Sequence, residues 1–117
     1  MATVTLTDTR FIRQGSDEVI LGITTGFMQA GGSFVVFSDA EGVKNEVLPN
    51  ANGKYVFRPT QNCFLNCITS VQDINSNTNK TSVTHDFNQA SPSSFDYSRQ
   101  VEHHNDIVIY DIHYIFV

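Results

Sequence analysis

The sequence predicts an all-β domain, an antiparallel β-sandwich of jelly-roll or Ig-like type with about 7-8 strands, or a small barrel as the alternative. Three observations predict it. Apolar and polar residues alternate with period two along most of the chain, no window of about 11 residues shows helical spacing, and turn-forming clusters of Gly, Asn, Asp, Ser and Pro recur about every 8 to 14 residues. A length of 117 residues suits a single β domain spanning 1-117. Such a chain buries roughly two-thirds of its unfolded surface, enough for a core without disulfides.

In TVTLTDTRFIR, Thr3, Thr5, Thr7 and Thr9 share one face while Val4 and Leu6 point to the other. That is the pattern of an antiparallel strand with one wet face. QGSDE turns the chain into VILGITTGFMQ, where Val19, Leu21, Ile23 and Phe27 fall in phase. Gly22 and Gly26 lie on the opposite face, and glycines inside a strand mark a bend, a bulge or a close approach by another backbone. AGGS reads as the next turn and FVVF as the third strand. Beyond DAEG, Asn52-Gly53 is a hairpin signal leading into KYVFRP, and Pro59 ends that strand or confines it to an edge. NCFLNCITSVQDI and TSVTHDF follow as strands, separated by the polar loop NSNTNK. NQASPSS breaks the chain, and FDYSRQVE is expected to pair with the terminal run across the short connection HHND.

The terminal run, IVIYDIHYIFV, is the most apolar strand. Val108, Tyr110, Ile112, Tyr114 and Phe116 form one face; Ile107, Ile109, Asp111, His113, Ile115 and Val117 form the other. With both faces mainly apolar, it reads as a central strand, or as one covered on its second side, because an exposed edge of this composition invites aggregation. A partner subunit is one way to cover it. The expected interface is Val108, Tyr110, Ile112, Tyr114 and Phe116, or the opposite face. Replacing Tyr114 by Lys is then expected to dissociate the assembly and leave a folded monomer.

Seven Lys and Arg against twelve Asp and Glu give a formal charge of -5, and the basic residues are scattered. Nucleic acid is not an expected partner, since its recognition needs clustered cations. No window approaches the 18 apolar residues of a membrane span, and the N-terminus lacks the pattern of a secretory signal. Cytoplasmic synthesis, with assembly into a particle, is the expectation. Cys63 and Cys67, at the same strand face about 13 Å apart, are too distant for a disulfide and read as small buried hydrophobes. A C-x3-C pair without a second cysteine pair or nearby histidine is a poor zinc pattern.

Candidate chemistry is sparse. Asp111 and His113 share a strand face at i, i+2, close enough to interact, and the pairs His85-Asp86 and His103-His104 are further candidates to come near them in space. A buried polar pair plus turn histidines is the plainer reading, and no serine stands in a nucleophile context such as G-x-S-x-G. Asp73, Asn75 and Asn77 imitate the opening of a calcium loop, but Thr78 and Thr84 stand where that loop needs Gly and a bidentate Glu. An Asn-rich turn explains the same residues. Asn79-Lys80-Thr81 matches a glycosylation sequon, relevant only on a secretory route. No metal, cofactor or catalytic residue is expected.

The function expected is therefore a non-enzymatic structural or interaction protein, a self-associating homo-oligomer forming a ring, tube, fibre, shell, or virion or secretion particle. The alternative is a lectin-like, carbohydrate-binding sandwich. Its glycan site is expected in polar loops carrying Asn50, Asn52, Asn75, Asn77, Asn79 and Ser93, with Tyr55 or Tyr97 available for stacking.

Overall fold

The computed structural model describes residues 1–117, and the chain forms two packed sheets with no helix. Ten strands follow in order: β1 (Thr3–Gln14), β2 (Val19–Thr25), β3 (Ala30–Ser38), β4 (Lys44–Val47), β5 (Tyr55–Phe57), β6 (Phe64–Gln72), β7 (Lys80–Asn88), β8 (Ala90–Ser91), β9 (Ser94–Gln100) and β10 (Ile107–Phe116). The large sheet has the order β4-β3-β6-β10-β1-β8, and the small sheet the order β5-β2-β7-β9. This is a β-sandwich, as the alternation predicts. The count exceeds expectation because β4 and β8 are short and mostly polar, so neither shows a period that sequence alone can detect.

The alternation sorts residues as expected. Leu21, Val35, Leu65, Val71, Val83 and Val108 point between the sheets and are fully buried. Each such side chain contributes about 1.5–3 kcal/mol when withdrawn from water. Phe57, Phe87, Phe95, Tyr114 and Phe116 fill the middle of this layer with edge and tilted ring contacts at 4.9 to 5.7 Å between centroids. Cys63 and Cys67 are buried free thiols, and the Cys67 thiol is pushed up by burial, so it packs as an inert small hydrophobe.

Four local expectations are corrected. β1 is not antiparallel along its length: it pairs in parallel with β10, from Thr3 opposite Ile107 to Ile12 opposite Phe116, and is antiparallel only to β8 at Arg13 and Gln14. The Asp106 carboxylate fixes this register by accepting the Ala2 N–H at 2.8 Å. AGGS belongs to β3, while the turn lies earlier, where Phe27 and Met28 adopt left-handed φ of 58° and 56°. Phe27 thereby leaves the phase of β2 and becomes exposed. A Cβ at Gly26 would run into the Ser82 hydroxyl, which explains the glycine at the start of this turn. Asn52-Gly53 does form a tight turn, with Gly53 N–H donating to Asn50 O at 2.9 Å, but β4 and β5 then enter different sheets. Likewise β9 pairs with β7, so the HHND connection crosses between sheets instead of closing a hairpin with β10.

The expected interface needs the largest correction. Val108, Tyr110, Ile112, Tyr114 and Phe116 are each 0% exposed, facing the chain's own small sheet. β10 is central, between β6 and β1, so its inward face is already covered. Tyr114→Lys would place a charge in that layer and unfold the chain rather than dissociate it.

Candidate functional site

The outward side chains of the large sheet lie in registered rows. From β3 through β6 and β10 to β1 they read Gly32, Ser70, Ile109, Thr5; then Phe34, Ile68, Asp111, Thr7; then Val36, Asn66, His113, Thr9; then Ser38, Phe64, Ile115, Phe11. Most of the large residues here are aliphatic or aromatic. Phe11, Phe34 and Phe64 are 64%, 47% and 48% exposed, and Ile68, Ile109 and Ile115 are half-buried only by their neighbours on the same face. No element of the chain covers them.

The outward side of the small sheet differs in composition. Gly22, Asp86 and Ser94 form one row, and Thr24, Thr84 and Asp96 the next. Thr84 donates to Asp96 at 2.7 Å and Ser94 to Asp86 at 2.9 Å, so this face satisfies itself with short polar groups in water.

Asp111 and His113 sit in the middle of the apolar face, with His113 Nε2 3.2 Å from Asp111 Oδ1. Their side chains are 31% and 42% exposed, so the pair lies on a sheet surface instead of in an enclosed cleft. The other histidines do not join it. His85 points into the core against Tyr114, Asp86 points outward, and His103 lies in the turn before β10, where its backbone N–H donates to Asp106. Beside His113 a shallow trough of about 550 Å³ is lined by Val36, Ser38, Lys44, Phe64 and Asn66.

The polar loops do not form one site. The β6–β7 loop carrying Asn75, Asn77 and Asn79 lies at the end where β10 begins, since Asp73 N–H donates to Asp106 O and Val101 N–H to Asn79 O. Ser93 lies at the far end, beside Phe87, and β8 pairs there with Arg13 at the finish of β1. Because β1 runs twelve residues, the two loops are about 35 Å apart. Asn50 and Asn75 also spend their side-chain oxygens on their own turns, accepting the N–H of Asn52 and of Asn77 respectively. Asp73, the first residue of the calcium-like run, is buried with Oδ1 taken by Gln29 Nε2 at 2.9 Å. Of the two stacking candidates, Tyr55 is buried, and Tyr97 is half-buried with its hydroxyl donated to Asp8 at 3.0 Å.

Two polar networks were not legible in the sequence. Gln29 is buried and binds the β6–β7 loop on both sides: its carbonyl accepts Ile74 and Asn75 N–H at 2.8 Å, and its amide donates to Lys80 O at 2.9 Å. The second runs through the core. Tyr97 donates to Asp8 and interacts with Tyr114, whose hydroxyl also meets His85 Nδ1. His85 Nε2, on the other side of the ring, has no hydrogen-bond partner. Burial pushes His85 down to about 4 and, together with the Asp8 carboxylate, pushes Tyr97 up to about 12. His85 is therefore neutral and structural, locked into a dry layer. Partners 29 to 89 positions apart in sequence carry no periodic signal of such contacts.

Compared with known protein families, curated proteins and solved structures, the chain matches none.

Proposed function

We propose that this chain is a non-enzymatic structural subunit that associates with copies of itself through the outer face of its large sheet, as the building block of a larger assembly such as a ring, tube, fibre, shell or virion or secretion particle. The observation that carries it is the unequal make-up of the two outer faces. Ile68, Ile109, Ile115, Phe11, Phe34 and Phe64 gather on one, while the other carries mainly Ser, Thr, Asn and Asp, with Ile20 and Val56 at its β5 edge. An apolar, rimmed patch of this kind on a soluble fold is a contact surface, and covering it gains roughly 25 cal/mol for each Å² of apolar area. The side of β10 that serves is Ile107, Ile109, Asp111, His113 and Ile115, opposite to the one the sequence favoured. Light scattering after size exclusion, at two concentrations about tenfold apart, tests it: a defined multimer is expected, and a 13.1 kDa monomer at both would overturn it.

A second reading has one specific observation in its favour. Phe64 presents nearly half its surface beside the amide of Asn66, the ring of His113 and the Lys44 ammonium, a stacking ring with hydrogen-bonding groups around it. Those are groups that recognise a saccharide. Reproducible glycan-array binding that disappears in Phe64→Ala supports this reading over self-association, and a blank array removes it.

A further inference from the structure

Deepening the self-association proposed above, on which it rests, we infer that the second copy docks face to face about a two-fold axis that crosses the strands between the rows of Asp111 and His113, so that Asp111 of each subunit meets the partner's His113. Three observations lead there.

The first concerns symmetry. A heterologous stack would set the apolar face of one copy on the outer face of the next copy's small sheet, where Asp86 and Asp96 already hold hydrogen bonds. Burying those carboxylates against isoleucine and phenylalanine is unfavourable. An isologous contact, the same face on both copies, buries apolar area on each and closes the pair.

The second is area. The four strands from β3 to β1 and the nine-residue register they share span about 19 by 30 Å at the usual strand and residue spacings, or roughly 570 Å² on each copy. A pair buries about 1,100 Å² in total, above the roughly 1,000 Å² that a specific interface needs.

The third is charge. Asp111 and His113 are neighbours on one strand and the only ionisable side chains in the central rows of β3, β6, β10 and β1. An axis running across the strands between them sets the Asp111 row of one copy over the His113 row of the other. Both carboxylates then meet an imidazole, and Ile109 meets the partner's Ile115. An axis parallel to the strands would instead set β10 against the partner's β6, leaving Asp111 over Ile68 and without a hydrogen-bonding partner across the contact.

Paired charge variants test this. Asp111→Lys alone sets Lys against the partner's His113 twice, and His113→Asp alone sets two carboxylate pairs together. Each is expected to weaken self-association by roughly tenfold or more, because both Asp–His contacts are lost and, in His113→Asp, carboxylates face each other. Mixed one to one, they set Lys against Asp at one contact and restore Asp against His at the other, and the dimer should re-form with mixed composition, read by native mass spectrometry. The like-charged neighbours within each chain persist in the mixture, so recovery reports the contact between subunits. As a check independent of charge, a short bifunctional thiol reagent should link Ile109→Cys to Ile115→Cys in a mixture and neither variant to itself. A dimeric wild type whose charge variants are unaffected, or do not recover on mixing, overturns the two-fold placement and leaves self-association standing. A wild-type monomer at high concentration removes both.

Discussion

The outer faces of the two sheets are built by the same alternation, yet they solve different problems. On the small sheet the outward positions hold Thr24, Thr84, Asp86, Ser94 and Asp96, two pairs of which are hydrogen-bonded, with Ile20 and Val56 toward the β5 edge. On the large sheet the equivalent positions hold Ile68, Ile109, Ile115, Phe34 and Phe64 around one Asp–His pair. Both faces are strand surfaces of the same fold, so folding itself does not require the difference. The first is suited to water, and the other is the face proposed to meet a second copy.

The sharpest break in this comparison lies between the two sides of β10. Tyr114→Lys should abolish folding, with a loss of about 4 kcal/mol or more from an unpaired charge in the core, seen as loss of the cooperative thermal transition. Ile115→Lys, one residue on and facing outward, should keep that transition. A folded Tyr114→Lys chain would show that the inner layer has been misassigned.

Next in size is the inner histidine. Above pH 6.5 His85 is neutral folded or unfolded and contributes no slope. Between 6.5 and about 4 the unfolded chain takes up a proton that the buried ring resists, so stability falls as pH falls, by about 3 kcal/mol at most, and levels off below. Denaturant titrations at pH 7 and pH 4.5 should show a smaller drop in His85→Phe than in the wild type. An equal drop in both assigns the pH dependence elsewhere. Asp106, whose carboxyl is held below its usual range chiefly by the Ala2 N–H, loses its contribution only at lower pH.

On the outer faces themselves, Ile109→Lys should weaken self-association by about 2 kcal/mol or more, roughly 30-fold, in sedimentation equilibrium. Thr84→Lys, on the small sheet, should leave it unchanged. Equal effects would erase the distinction between the faces. The smallest effect expected is Tyr97→Phe, which removes the hydrogen bond to Asp8 at the side of the sandwich. It should cost about 1 kcal/mol in chemical denaturation without altering assembly. A drop in mass for this variant would bring the Tyr97 side into the contact.

Much of the fold was legible. Period-two alternation through TVTLTDTRFIR, NCFLNCITSVQ and IVIYDIHYIFV assigns strands and sorts their faces, because side chains on an extended backbone must alternate. The turns at Asp39–Gly42 and Asn50–Gly53 were marked by residues that tolerate left-handed backbone or cap their own loops, and Gly42 and Gly53 have positive φ. Partner choice was not legible. Nothing in β1 announces a parallel pairing with β10, because that register is set by contacts a hundred residues apart, including Asp106 to Ala2. The crossing of β4 to β5 and of β9 to β10 between sheets failed for the same reason: a turn fixes direction over a few residues, while the sheet that a strand joins depends on which apolar face it completes.

The candidate site divides along that line. The sequence by itself determined that β10 is apolar on both faces, that Asp111 and His113 share one of them, and that the basic residues are few and scattered. Only the tertiary structure decided which face is inside. Val108, Tyr110, Ile112, Tyr114 and Phe116 turn toward the small sheet, leaving Ile107, Ile109, Asp111, His113 and Ile115 outward. Alternation says that two faces differ in direction. Which one is buried depends on where the second layer lies, and that is fixed by the packing of the whole chain.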